Sequence, residues 1–258
     1  MGLIKVPFFL FFCYNMCVGD NMRKIALITG VSKGLGSVLA YELACFGYDI
    51  VGTYNKGLDS VLKLKDKIDK IGVKFDYYKL DLNNTESTNN FIKTIKENYE
   101  RVDLLINNAA LSLDNDFIYK TKDEFMKVLE VNLVGPFLIV QGLCGIMNDG
   151  VIVNISSTDG INTYSTYNMD YSASKAGLIN LTKSLSLALD NIRVYAICPN
   201  WMNTDAIREM NPDYLKDEME RIGQKELIEP KLIADKIINL IDSKVKSGSI
   251  IVVEDNNE

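Results

Sequence analysis

Residues 25–36 read IALITGVSKGLG, and this stretch decides the fold. Ile25 to Thr29 is a short apolar run of the kind a buried strand needs. Gly30, Gly34 and Gly36 then interrupt it, with Ser32, Lys33 and Leu35 among them, and a helix-period pattern follows from Ser37 to Phe46. Strand, glycine loop and helix in that order form a phosphate cradle: glycines let the backbone approach a pyrophosphate, and the amide dipoles at a helix N-terminus favour its charge. The spacing is GxxxGxG instead of GxGxxG, and a glycine loop alone is a weak signal. Its place between a strand and a helix gives it weight. The same residues also spell GxSxG from Gly30 to Gly34, the pattern of a hydrolase nucleophile elbow. The chain contains no histidine, so Ser32 has no imidazole to activate it.

Outward from this unit, strand-like runs recur at Asp49 to Tyr54, Phe75 to Leu80, Val102 to Asn107, Gly150 to Ile155, Arg193 to Ile197 and Ser249 to Val253. Several are apolar at consecutive positions, as expected when helices cover both faces of a parallel sheet. Between them lie helix-period segments. In Leu58 to Ile71 the residues Leu62, Ile68 and Ile71 fall on one face. Thr121 with Glu124 makes a capping box before the apolar stretch Phe125 to Leu143. The pattern predicts an α/β fold, a doubly wound Rossmann-type three-layer sandwich with a seven-stranded parallel sheet.

The 258 residues, 47% of them hydrophobic, suffice for one large domain, expected over residues 22–258. Residues 1–21 form an apolar extension whose run Val6 to Val18 is too short to span a bilayer. It reads as an upstream segment without a folded role, as a membrane or export element, or as a docking segment; Met22 already opens a complete first strand. The net charge is −6, without basic blocks, which excludes a nucleic-acid footprint. Absence of histidine also removes the commonest zinc and iron ligand, and no metal site is expected. Five cysteines without a CxxC pair fit a reduced, cytoplasmic setting better than a disulfide framework.

After the second strand an NAD enzyme places an acid on the ribose hydroxyls. Here the strand ends Tyr54-Asn55-Lys56. Lys33, Asn55 and Lys56 suit a 2′-phosphate instead, so NADP(H) is expected over NAD(H). Tyr171 and Lys175 are four apart on a helix predicted from Met169 to Leu189 and share a face. A fixed ammonium has the right sign to stabilise a phenolate, and Tyr171 is then a proton donor to a nascent alkoxide while a cofactor supplies hydride. With 13 tyrosines and 28 basic residues, chance supplies about one such pair, so context carries the argument. Ser157 ends the fifth strand, where ligands of a doubly wound sheet lie, with Ser156 as the alternative nearer the core. Pro136 cannot bond the carbonyl of Asn132, which frees that oxygen for a water and bends the helix.

The ordered set TGVSKGLG (29–36), LDL (80–82), NNAA (107–110), VNLVGPF (131–137), NISS (154–157), YSASKAG (171–177) and CPNWMNT (198–204) resembles the short-chain dehydrogenase/reductase family from about Lys24 to Val253. In general appearance it is similar to the 3-oxoacyl-[acyl-carrier-protein] reductase group. The resemblance implies a catalytic tetrad of Asn132, Ser157, Tyr171 and Lys175, with Lys175 also on the nicotinamide ribose. It implies Asp81 and Leu82 around the adenine, Asn108 and Ala109 beside the cofactor, Met202 and Thr204 near the carboxamide, and a homo-oligomer, tetramer or dimer. Three positions depart from the pattern: Ala110 and Asn200 where glycine is common, and Tyr195 where asparagine is frequent. Asn200 is expected to keep its turn because asparagine tolerates positive φ. The C-terminus also lacks a glycine pair that supports the tetramer contact. The implied activity is NADPH-dependent reduction of a carbonyl, a 3-oxoacyl thioester or a similar ketone or aldehyde. Extended epimerases share YxxxK but need a longer C-terminal part than the residues after Thr204 provide; a non-catalytic NADP(H)-binding sensor or scaffold is the alternative of another class. Substrate walls are expected from Ala110 to Phe117, after Ser157, and from Asp205 to Glu229 beyond Trp201.

Overall fold

The computed structural model describes residues 23–254; the apolar extension 1–21 and Met22 lie outside the described residues, as do the last four. Seven strands, β1 (Ile25–Ile28), β2 (Asp49–Tyr54), β3 (Phe75–Lys79), β4 (Leu104–Asn107), β5 (Val151–Ile155), β6 (Arg193–Pro199) and β7 (Ile250–Val253), form one sheet. Every pairing is parallel, in the order β3-β2-β1-β4-β5-β6-β7. The order reverses between β1 and β4, which opens the ligand crevice at their C-terminal ends. Helices α1 (Gly34–Cys45), α2 (Leu58–Asp69), α3 (Thr85–Asn98), α4 (Lys122–Leu129), α5 (Gly135–Leu143), α6 (Met169–Ala188), α7 (Asp205–Arg208), α8 (Pro212–Ile222) and α9 (Pro230–Ile241) complete the layers.

The consecutive apolar strand residues divide between two cores. Ala26 and Ile28 point to the face covered by Leu39 and Leu43 of α1, Val61 of α2 and Ile237 of α9. Leu27 points to the other, with Phe91 and Ile95 of α3 and Ile139, Val140 and Leu143 of α5. The helical stretch Lys122–Ile146 is long and apolar enough to cross a membrane. Ile139, Val140 and Leu143 are nevertheless buried in this second core.

Several boundaries shift. Strand β1 stops at Ile28 because Thr29 already turns its hydroxyl toward the chain after β4, accepting the N–H groups of Asn108 and Ala109 at 3.0 Å each. Helix α1 starts at Gly34 inside the glycine loop. Leu62, expected on the buried face of α2, is 40% exposed, and Val61 and Leu64 take that face with Ile68. The capping box forms as expected: Glu124 N–H donates to Thr121 Oγ1 at 3.2 Å, and Thr121 N–H donates to Glu124 Oε2 at 2.8 Å. The helix opens at Lys122, directly after its Thr121 cap, and a π-type turn at Glu130–Val134 divides the apolar stretch that follows. There the N–H of Gly135 reaches the carbonyl of Glu130, five residues back, and Pro136 sits in the first turn of α5. A missing N–H and a ring that crowds the preceding turn account for the irregularity.

Candidate active site

The glycine loop is shaped by contacts no other residue permits. A Cβ on Gly36 would collide with the carbonyl oxygen of Gly30 and lie 2.5 Å from Asn108 Nδ2. Gly30 has φ +76°, and a Cβ there would press on Ala109 at 3.0 Å. Asn108 braces this loop: its Nδ2 donates to the carbonyls of Thr29 at 2.9 Å and Gly30 at 3.1 Å. Its side-chain amide nitrogen is therefore committed to the cradle, beside which the resemblance placed it. The amides at the start of α1 together with the closely packed glycines fit a dinucleotide pyrophosphate.

Around the cradle, Leu35 is buried, Ser32 half-buried and Lys33 exposed. Gly57, with φ +82°, brings the chain beyond β2 against the loop, since a Cβ on it would lie 3.3 Å from Ser32 Cβ. The exposed Asn55 and Lys56 precede that contact and Lys33 follows Ser32, so both lysines border one patch. Asp81 closes a turn at the end of β3, its Oδ1 accepting the N–H of Asn83 at 3.0 Å. Leu82 belongs to the second core, and a Cβ on Gly135 would meet its Cδ2 at 3.0 Å. Thr204 lies near the loop from the other side, 3.7 Å from where a Gly34 Cβ would stand, and its N–H donates to the carbonyl of Met202 at 2.8 Å. Met202 packs on the first core.

Beyond β5 and along α6 the four tetrad positions come together. Ser157 caps a short 3-10 turn, its Oγ accepting the N–H of Asp159 at 3.1 Å. Lys175 is 2% exposed and donates from Nζ to the carbonyl of Ile155 at 2.7 Å. That nitrogen lies 5.3 Å from the centre of the Tyr171 ring. A Cβ on Gly160 would meet the backbone of Lys175 at 2.7 Å, so only glycine lets the turn after Ser157 approach α6 this closely. Asn132 is buried and uses its side chain on both sides. Nδ2 donates to the Leu111 carbonyl at 2.9 Å and to Ser174 Oγ at 3.0 Å, while Oδ1 accepts the Leu111 N–H at 2.8 Å.

The electrostatics differ from the expectation of a lowered phenol. Burial, then the charge of Asp159, push Tyr171 well above its ordinary value, with the Ser157 hydroxyl pulling weakly the other way. Burial also brings Lys175 down to about 8, opposed by Cys198 and Asp159. Desolvation disfavours the charged form of each, the phenolate and the ammonium alike. Asp159 itself is pushed up to about 6 by burial. Sequence reading missed Asp159, although its place two residues after Ser157 is a usable signal. It also missed Thr29, which no local pattern marks.

The departures have local explanations. Asn200 has a negative φ, contrary to the expected left-handed turn, and its Oδ1 accepts from Thr158 Oγ1 at 2.9 Å. Tyr195 is fully buried and satisfies its hydroxyl on the Val245 carbonyl at 2.8 Å. A polar cavity of about 320 Å³ adjoins Asn200 and is lined also by Asn162, Thr163, Arg221 and Gln224. Among the described residues no cluster of ligating side chains suits a metal.

A short chain dehydrogenase model matches residues 24–215. The chain is 32% identical over 222 residues to the 3-oxoacyl-[acyl-carrier-protein] reductase FabG of Aquifex aeolicus, covering 84% of this chain and 89% of that one. It is 32% identical over 238 residues to the acetoacetyl-CoA reductase of Rhizobium meliloti, covering 89% and 96%. Among solved structures, a dehydrogenase/reductase from Sinorhizobium meliloti superposes with TM-score 0.83 at 26% identity, over 90% of this chain and 93% of that one. The angucycline C-6 ketoreductase LanV with bound NADP gives TM-score 0.81 at 26% identity, over 89% and 93%.

Proposed function

The chain belongs to the short-chain dehydrogenase/reductase family, an NAD(P)-dependent oxidoreductase acting on carbonyls, and from that premise we propose that it uses NADPH to reduce a 3-oxoacyl thioester or similar ketone or aldehyde to the alcohol. The observation that carries the reading is the buried Lys175 ammonium, fixed by the Ile155 carbonyl next to the Tyr171 ring and close to Ser157.

Gly30, Gly34 and Gly36 with the first amides of α1 would hold the pyrophosphate, and Lys33, Asn55 and Lys56 the 2′-phosphate. When bound, the cofactor supplies the hydride. Ser157 accepts the Asp159 N–H and lies within hydrogen-bond reach of Tyr171, and its hydroxyl would donate to the substrate carbonyl oxygen. Tyr171, whose phenol burial pushes up, donates its proton to the same oxygen as the carbonyl takes up hydride and that oxygen becomes an alkoxide. The phenolate then recovers a proton from Lys175, whose lowered value near 8 makes its ammonium a better donor than an exposed lysine. A neutral tyrosine at working pH suits reduction better than oxidation, which would need the phenolate first.

NADPH is favoured because the two lysines border one patch and β2 ends in Tyr54-Asn55-Lys56 without an acid; NADP is bound in LanV. The thioester substrate follows the two curated reductases. Exposed Phe117, Ile118 and Tyr119 on one wall, and Tyr164, Tyr167 and Met169 on the segment before Tyr171, offer an apolar lip to an acyl chain. The free thiols Cys45, Cys144 and Cys198 and the pyridine nucleotide fit the cytoplasm, and the chain is proposed to work as a homo-oligomer.

The test follows cofactor absorbance with a panel of 3-oxoacyl thioesters and small carbonyls. NADPH is consumed, NADH much less, and Tyr171→Phe stops turnover while nucleotide still binds. Charge reversal of Lys33 and Lys56 together removes the preference for NADPH. Undiminished turnover by Tyr171→Phe would overturn the assignment, and binding without turnover of any carbonyl would point to a sensor.

A further inference from the structure

Residues 111–121 run from β4 to α4 as a wall of the site with no helix or strand of their own. Ordering such a segment costs backbone entropy at every residue, so it stays in place only if strongly tied. Its first tie is Asn132, which holds Leu111 through two hydrogen bonds and reaches Ser174 of α6. Ser174 Oγ in turn donates to the Tyr171 carbonyl at 2.6 Å. Midway, the N–H of Asn115 donates to the Tyr167 carbonyl at 3.0 Å. At the far end, Lys120 Nζ donates to the Leu113 carbonyl and, at 3.0 Å, to Asp170 Oδ2. The other oxygen, Asp170 Oδ1, accepts the N–H of Tyr171 itself at 3.0 Å. Lys120 is 7% and Asp170 0% exposed at the side chain.

We propose that Lys120 is a positioning residue: its buried pair with Asp170 clasps the 111–121 wall to the first turn of α6 and sets where Tyr171 stands relative to the substrate carbonyl. The inference rests on the reading above that Tyr171 is the proton donor. Stability alone is a poor explanation for the pair. Apolar residues of similar volume often replace a buried ion pair without loss, because desolvation offsets the attraction. What an ion pair supplies and an apolar contact does not is direction. One carboxylate here serves the wall and the backbone of Tyr171 at once, so displacement of Lys120 is passed to the tyrosine. The carboxylate also lies in the first helical turn, where the dipole favours it. By contrast, the exposed Lys65–Asp69 pair at 2.8 Å ties two residues of one helix and directs nothing. Phe117, Ile118 and Tyr119 protrude just before Lys120, so the clasp also decides where this apolar lip stands.

The test compares wild type, Lys120→Met and the double variant Lys120→Met/Asp170→Asn, in which no carboxylate is stranded and the new side-chain amide oxygen still accepts the Tyr171 N–H. Read are kcat and KM per folded enzyme, the NADPH Kd by fluorescence, the unfolding midpoint, and hydrogen exchange of the 111–121 amides. In both variants kcat falls about tenfold or more, since misplacement of an ångström costs that order. The NADPH Kd stays within about twofold of wild type, as the cradle is untouched, and the 111–121 amides exchange faster. The double variant regains the midpoint that Lys120→Met loses, but not kcat. Recovery of kcat together with the midpoint would overturn the proposal in favour of a stabilising role, and so would wild-type exchange protection of 111–121 in the double variant. Should wild type turn over no carbonyl, the functional reading fails, while the exchange comparison still decides the clasp.

Discussion

Replacing Lys175 by methionine removes turnover, but the more searching result is how stability then depends on pH. Burial lowers Lys175 from an ordinary 10.5 to about 8 in the folded protein. Between those values the unfolded chain holds the proton and the folded one has released it, so stability rises with pH across that window. Below pH 8 the folded protein carries the full penalty of a buried ammonium. The folded and unfolded values together give a gain of about 3 kcal/mol between pH 7 and pH 10.5. Every other ionisable group is common to both proteins, so the difference between wild type and Lys175→Met isolates the lysine. Losing the 2.7 Å bond to the Ile155 carbonyl displaces the variant's whole curve without changing its slope. Urea unfolding at half-unit steps from pH 7 to pH 10.5 measures that difference. It should climb by about 3 kcal/mol, most steeply above pH 8. Parallel curves would refute the claim that Lys175 is desolvated in the folded state, and with it the argument that its ammonium is a strengthened proton donor.

Gly36→Ala drives a Cβ into the Gly30 carbonyl oxygen, so the loop must shift; NADPH affinity, read by fluorescence titration, falls about tenfold or more, which corresponds to roughly 1.4 kcal/mol. Asp159→Asn removes a negative charge that raises both Tyr171 and Lys175, so the inflection near pH 6 expected in the wild-type pH–rate profile disappears and the alkaline limb moves to lower pH; a profile identical to wild type would show that Asp159 does not act on the pair. Thr121→Ala breaks the capping box of α4 at a cost of about 1 kcal/mol, read as a fall of roughly 2–4 °C in Tm.

Most of the sheet is legible before any coordinates, because a strand buried on both faces must be apolar at consecutive positions, as Ala26, Leu27 and Ile28 are. Helix edges are less so. Leu62 fits an apolar face by period yet lies on the exposed side of α2, since a 100° stripe admits either Val61 or Leu62 and only the neighbouring strand chooses. Pro136 signals a disturbed helix, but no local pattern marks its form, a π-type turn at Glu130–Val134. In the candidate site, the spacing of Tyr171 and Lys175 brings them to one helix face by geometry alone. Asn132 is legible as a position and not as a contact: its bonds to Leu111 and Ser174 span 21 and 42 residues.

The amino-acid sequence by itself determined the seven strands, the glycine cradle, the exclusion of histidine chemistry and the shared helix face of Tyr171 and Lys175, because periodicity, glycine sterics and residue inventory are local properties of a chain; the tetrad as a set came from the family resemblance. Tertiary structure alone decided that burial pushes the Tyr171 phenol up and the Lys175 ammonium down, that Asn108 braces the loop, and that Lys120 meets Asp170. The physical reason is common to all of these. Desolvation and long-range hydrogen bonds depend on which surfaces close over a group, and that is settled only when distant segments pack together.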